Sequence, residues 1–297
     1  MGAKEEEEIR NWEMRENILY DDILDQNICE NELNKAIHNL KNNKSPGFDK
    51  ILNEFVIHGG SQMKQVILKL FNAIFNSGCF PKLWAIGEII PIHKKGDVNE
   101  PGNYRGITLL SCVGKLFTSI INNRLTEWAE ENNVFFQNQF GFRKQRGTTD
   151  CMFILHGIIG LLQKKSKPLF CAFVDLQKAF DGTNRRALWY KLDKNNVSTK
   201  MINLIKNMYS KIKLCVKGTH TVKMSPTVDI NNRDVIDNDA DAVNTDINDV
   251  NLNDSVDNEC FFTSIAGVFQ GESLSPFLFS MFLNDLHDNL KSIDMLV

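Results

Sequence analysis

The chain has 297 residues, long enough for one large domain or two modest ones and with ample material for a core. Its formal net charge of -3 is unevenly held: Met1 to Glu32 carries 3 basic against 11 acidic residues and Pro226 to Glu259 carries 1 against 10, a combined -17 that leaves +14 on the remainder. That remainder has the balance of a surface that meets phosphates. Seven scattered cysteines with no CxxC pair indicate neither a disulfide framework nor a zinc module, and no stretch reaches 18 apolar residues. The acidic start lacks signal-peptide character, and Glu6 stands where myristoylation asks for Ser or Thr. A soluble intracellular protein, cytoplasmic or nuclear and without a membrane partner, is expected.

In chain order, residues 1–30, with the run Glu5 to Glu8, read as a solvated acidic arm or frayed helix. Asn31 to Leu40 places Leu33, Ala36, Ile37 and Leu40 on one helical face and stops at the loop signature Lys44, Ser45, Pro46, Gly47. Gln62 to Asn76 is a second amphipathic helix, closed by Gly78 and followed by Pro81. Ala85 to Ile92 reads as a strand that turns through Lys94, Lys95 and Gly96 and returns at Tyr104 to Leu110, a long hairpin with cations near its tip and base. Val113 to Glu131 is a helix carrying Lys115 and Arg124, and Gln139 to Arg146 is a loop gathering Arg143, Lys144 and Arg146. The apolar run Leu169 to Val174 suits a buried strand that delivers Asp175 at its end. A turn at Phe180 and Asp181 leads to helices at Arg185 to Asp193 and Ser198 to Met208, then a strand at Ile212 to Val216. Residues 226–258, rich in Asp and Asn and almost without aromatic residues, read as a disordered acidic insertion. Asp237, Asp239 and Asp241 imitate a calcium loop, but Ala242 and Asn248 stand where it needs Gly and Glu.

A carboxylate at the end of a buried strand serves either as a helix cap or ion pair, or as a ligand of Mg²⁺, which is held by one or two carboxylates plus phosphates and waters. Its company favours the second. The stretch Phe173 to Asp181, FVDLQKAFD, resembles the first palm motif of reverse transcriptases of non-long-terminal-repeat (LINE-like) retrotransposons. Gly267 to Pro276, GVFQGESLSP, resembles their Gln-Gly and Ser-Pro motif, and Asn103 to Leu110, NYRGITLL, and Asn138 to Asp150, NQFGFRKQRGTTD, resemble two more, in the family order.

The resemblance implies an α+β fold: right-hand polymerase fingers over residues 31–168, and over 169–297 a partial palm, with an antiparallel palm sheet and packed helices. It implies RNA-directed DNA polymerase activity on an RNA template, a DNA primer and deoxynucleoside triphosphates, by two-metal nucleotidyl transfer with Mg²⁺. Asp175 would be the catalytic metal ligand, with the backbone of Leu176 and Ala179 completing the metal and triphosphate contacts. Phe180 would lie under the sugar and exclude a 2′-hydroxyl, and Gln270 and Gly271 would line the nucleotide pocket. Arg105 and one of Lys94 or Lys95 would touch the triphosphate, while Arg143, Lys144 and Arg146 would track the template. Asp181 reads as a cap or structural acid. Gly106, Phe269 and Glu272 depart from residues that many members carry. Tyr20, Asp21 and Asp22 imitate the aromatic-x-Asp-Asp motif but lie ahead of the fingers; the family's second aspartate pair would follow Val297. The expectation is therefore a truncated chain that is inactive alone. Its rivals are a catalytically inactive nucleic-acid-binding remnant and an acidic interaction module.

Overall fold

The computed structural model describes residues 3–15, 18–217 and 261–286. The expected insertion at residues 226–258 lies outside them. The described residues form nine α-helices and one three-stranded sheet. The sheet is built on the expected hairpin: β1 (Ile86–His93) pairs antiparallel with β2 (Tyr104–Leu109), from Glu88 opposite Leu109 to His93 opposite Tyr104. On its other edge β1 pairs in parallel with β3 (Lys213–Val216), giving the order β2-β1-β3. The fold is mixed α and β, and this sheet is mixed rather than antiparallel.

The helices are α1 (Ala3–Glu13), α2 (Glu30–His38), α3 (Asn53–His58), α4 (Gly60–Ser77), α5 (Cys112–Glu131), α6 (Thr148–Lys164), α7 (Arg185–Lys194), α8 (Thr199–Ser210) and α9 (Ser275–Phe282). Helix α4 ends as the sequence requires, with Gly78 left-handed at φ 66° and its N–H donating to Ile74 O. Helix α5 is the central one, burying Leu116, Phe117, Ile120, Ile121, Leu125 and Trp128. Around Phe117 stand Phe71, Phe80 and Trp84, with ring centroids 5.2 to 6.4 Å away, so α4, α5 and the approach to β1 share one aromatic core. The KSPGFD run is fastened to it: Ser111 Oγ donates to Asp49 Oδ2 at 2.5 Å, and Lys50 pairs with the buried Glu88 of β1 at 2.9 Å.

Two expectations are corrected. The acidic N-terminal stretch is not a solvated arm: Ile9 is 0% exposed, and α1 lies on α7 with Glu6 and Glu13 on Arg186, Glu8 on Tyr190 and Trp12 edge-on to Tyr190. Cations far along the chain neutralise the acids, which the local composition does not reveal. The run Leu169 to Val174 is not a buried strand either. It takes no regular secondary structure and is unpaired, with Phe173 86% and Val174 85% exposed. An apolar run becomes a strand only where an edge accepts its N–H and C=O groups, and the sheet of the described residues does not reach it. Tyr20, Asp21 and Asp22 sit in a turn, where Asp21 accepts from the Leu24 N–H at 2.8 Å and the Trp128 indole at 2.9 Å.

Candidate nucleotide and nucleic-acid site

The hairpin presents Lys94, Lys95 and Arg105, all exposed and, among the described residues, without a side-chain hydrogen bond or ion pair. Three residues along β2 from Arg105, about 10 Å at strand spacing, the Thr108 N–H donates to Gln270 O at 3.2 Å. Gly271 follows at φ 108°, and a Cβ there would stand 3.0 Å from Thr108 O, so glycine lets the turn lie flat on the strand. Gly106 likewise has Ile89 beneath it, 2.9 Å from where a Cβ would be.

The stretch FVDLQKAFD meets this segment through its turn. Lys178 is left-handed at φ 49°, its carbonyl accepting from the Gly182 N–H, and Ala179 O accepts from Thr183 Oγ1 at 3.2 Å. Phe180 O then accepts from the Val268 N–H at 2.9 Å, and Thr183 O accepts from the Gly267 N–H at 2.8 Å. Gly267 is at φ 83°, where a Cβ would meet Asp181 O at 2.8 Å. Gly267→Ala is expected to destabilise by more than about 1 kcal/mol, seen as a lower thermal midpoint. Gly141→Ala, facing open space, should leave the midpoint nearly unchanged, and equal effects would refute the close approach.

The Phe180 ring lies between Phe279 of α9, at 5.0 Å, and Phe142 of the basic loop, at 6.3 Å. Beside these rings opens a cleft of about 380 Å³, lined also by Phe136 and Leu283. Within the loop the three cations differ. The Arg143 side chain is 8% exposed, paired with Glu130 at 2.5 Å, donating to Phe136 O at 3.1 Å and set over the Phe135 ring. Arg146 donates to the carbonyls of Gln137 and Gln139, and Lys144 reaches Glu127 at 3.5 Å from an exposed position. Arg143 therefore holds the loop, while Lys144 is the most available of the three.

Asp175 and Leu176 are exposed in the unpaired segment, and among the described residues the Asp175 carboxylate has no hydrogen bond or ion pair. Asp181 is exposed, and the cap of α7 is Asn184, whose Oδ1 accepts from the Ala187 N–H at 3.1 Å.

Two residues matter that the motifs did not single out in these roles. Arg185 donates to Gly267 O at 2.9 Å, Ser264 O at 2.6 Å and Ala266 O at 3.1 Å, with Tyr209 below it at 5.0 Å. Burial pulls its guanidinium below the usual arginine value. Phe269 stacks on the same tyrosine, 5.6 Å away and nearly parallel. Arg185 and Arg186 open a helix, where the dipole disfavours cations, and that misplacement is a signal readable in the sequence. Glu272 is buried, and burial pushes its carboxyl above the ordinary range although Thr118, Ser275 and Lys115 pull the other way.

The family model for reverse transcriptase (RNA-dependent DNA polymerase) matches residues 92–297, from the end of β1 onward. The chain belongs to the reverse transcriptase family. A probable RNA-directed DNA polymerase from transposon BS of Drosophila melanogaster is 35% identical over 153 residues, 50% of this chain and 17% of that protein. RNA-directed DNA polymerases from the mobile element jockey are 32% identical in Drosophila melanogaster, over 164 residues, and 32% in Drosophila funebris, over 187. Those alignments cover 54% and 62% of this chain but 18% and 20% of the relatives. This reverse transcriptase chain thus spans about a fifth or less of each. Among its described residues no helix is long and apolar enough to cross a membrane.

Proposed function

We propose that the chain forms the fingers, residues 31–168, and the first part of the palm, residues 169–297, of a LINE-like RNA-directed DNA polymerase that extends a DNA primer on an RNA template. The observation that carries this is the seating of Gln270 and Gly271 on β2, the strand whose Arg105 stands unpaired beside Lys94 and Lys95. A nucleoside triphosphate laid along β2 would have its base end at the glycine turn and its phosphates at the cations. Arginine forks onto phosphate oxygens, and lysine adds a point charge. Phe180 would sit under the sugar, and Lys144 with Arg146 would meet the template backbone, on a loop that Arg143 braces.

The donor set as it stands does not fit a pair of magnesium ions. Among the described residues no three His, Cys, Asp or Glu side chains gather as ligands, and Asp175 stands without a second carboxylate. Two ions need more anionic oxygens than one side chain supplies. The reading for the described residues is therefore binding rather than turnover.

The test is a gel-shift titration with an RNA template annealed to a DNA primer, at two salt concentrations, beside a primer-extension assay containing Mg²⁺ and deoxynucleotides. Binding should weaken steeply with salt, and Lys144→Ala with Arg146→Ala should lower the salt slope by about 1 for each phosphate no longer neutralised. No extension is expected. Salt-independent binding would refute the reading, and extension abolished by Asp175→Ala would show that further carboxylates assemble around Asp175.

A further inference from the structure

Between β1 and β2 the chain is exposed from Lys94 to Gly102, yet its backbone is tied back to the base of the hairpin. The Lys94 N–H donates to Asn103 O at 2.8 Å, and His93 Nε2 lies 3.2 Å from Gly96 O. Asp97 O accepts from Asn103 Nδ2 at 2.9 Å, and Val98 O accepts from the Tyr104 hydroxyl at 2.8 Å. Gly96 is at φ 91°, and a Cβ there would stand 2.6 Å from Asn103 Nδ2, so the Asn103 amide lies directly against the turn. Asn103 and Tyr104 are half-buried, whereas the residues they hold are exposed. The side chains of Lys94 and Lys95 take no part in these ties.

The pairing register decides which lysine shares a face with Arg105. Ile92 stands opposite Arg105 and His93 opposite Tyr104, and the Lys94–Asn103 bond carries that register one step further. Side chains alternate along a strand, and residues directly opposite project from the same face. Ile92, Lys94, Asn103, Arg105 and Ile107 therefore share one face, and His93 and Tyr104 the other. The rings of His93 and Tyr104 meet at 5.2 Å, as this arrangement requires. Alternation sends Lys95 away from Arg105. The glycine turn adjoins the first face, since a Cβ on Gly271 would lie 4.0 Å from Ile107 Cγ2.

We propose that Asn103 and Tyr104 are positioning residues that clamp the hairpin turn from opposite faces, holding Lys94, rather than Lys95, on the face of Arg105 and Gly271 to meet the phosphates of a nucleotide. Neither clamp touches the ligand. A lysine on a loose, exposed loop loses backbone freedom when it binds, whereas a clamped backbone has given up part of that freedom beforehand. The phosphate role rests on the reading of β2 given above; the clamp itself does not.

The deciding experiment measures affinity for dATP, and amide hydrogen exchange at Lys94, in the full chain. The variants are Asn103→Ala, Tyr104→Phe, Lys94→Ala, Lys95→Ala, and Lys94→Ala combined with Asn103→Ala. Asn103→Ala should weaken dATP binding about fivefold and speed the exchange about tenfold. Tyr104→Phe should move both in the same direction by less. Lys94→Ala should weaken binding about tenfold, more than Lys95→Ala does. Adding Asn103→Ala to Lys94→Ala should weaken it no further, because the clamp acts through that lysine. Additive losses, or a larger loss from Lys95→Ala, would overturn the positioning role and leave the nucleotide reading standing. If the wild type does not bind dATP, the nucleotide reading fails and the assignment of Lys94 with it, while faster exchange in Asn103→Ala and Tyr104→Phe upholds the clamp. Unchanged exchange in both refutes the clamp whatever binding shows. Should Asn103→Ala not fold, Tyr104→Phe, which removes a single hydroxyl, decides the same question.

Discussion

Arg124→Met is expected to cost about 3–5 kcal/mol of folding stability, read as a fall in the urea midpoint at unchanged slope. The Arg124 guanidinium is buried in the middle of α5 and uses its whole fork: Nε and Nη2 reach Glu32 at 2.5 and 2.8 Å, Nη1 reaches Gln26 O at 2.5 Å and Leu24 O at 3.4 Å, and Nη2 reaches Asn27 O at 2.9 Å. It also lies 5.4 Å over the Phe75 ring. Methionine would match much of the volume but leave three carbonyls and a carboxylate without their donor. Lysine should rescue only part, since a point charge cannot serve five acceptors at once. Burial alone would raise the Glu32 carboxyl, but the Arg124 guanidinium and the Cys29 N–H hold it below the ordinary 4.5. A carboxyl lowered on folding contributes stability above its unfolded value that disappears as pH falls through the folded one. The wild type should therefore lose this increment below about pH 4.5, and Arg124→Met should not. A loss under about 1 kcal/mol at neutral pH would mean that the fork contributes little to the fold.

Arg185→Met should cost about 3 kcal/mol and loosen the segment that leads to the Gln-Gly turn. Three backbone carbonyls, of Ser264, Ala266 and Gly267, converge on that one side chain. Losing it frees Gly267 from α7, and the Val268 N–H bonded to Phe180 O should exchange faster with solvent. The neighbouring Arg186 provides the control. It pairs with Glu6 and Glu13 at 3.0 and 2.8 Å from a half-exposed position, so Arg186→Met should alter stability little and in a salt-dependent way. Equal urea midpoints for the two variants would refute the distinction.

Much of the scaffold was legible because its signals are local. Gly78 and Pro81 mark the end of α4, alternating Ile residues and the polar interval at Lys94 to Gly96 mark the hairpin, and an apolar stripe marks α5. The seating of Gln270 on Thr108 was not legible, because nothing between residues 108 and 270 fixes which strand the turn lies on. The docking of α1 depends on Arg186 and Tyr190, far from the glutamates they receive, so the glutamate run alone reads as solvated. Leu169 to Val174 failed for the opposite reason. Its local signal is strong, yet pairing is a property of two segments, and no edge of the described sheet lies against it. Arg124 could have been found, since a cation spaced between Ile120, Ile121 and Trp128 on one helical face is buried or misplaced.

The single bridge between Leu214 and Phe262 has its own consequence. The two residues exchange both backbone hydrogen bonds, at 2.8 and 2.9 Å, so the chain that leaves the sheet after β3 rejoins it beside that same strand. The two described ends are thus already together, and closure entropy grows only logarithmically with the length enclosed. Doubling that length would add about 0.6 kcal/mol. Lengthening the chain there is therefore expected to cost the described fold little, read as a nearly unchanged thermal midpoint, which makes it a port for a grafted tag or reporter.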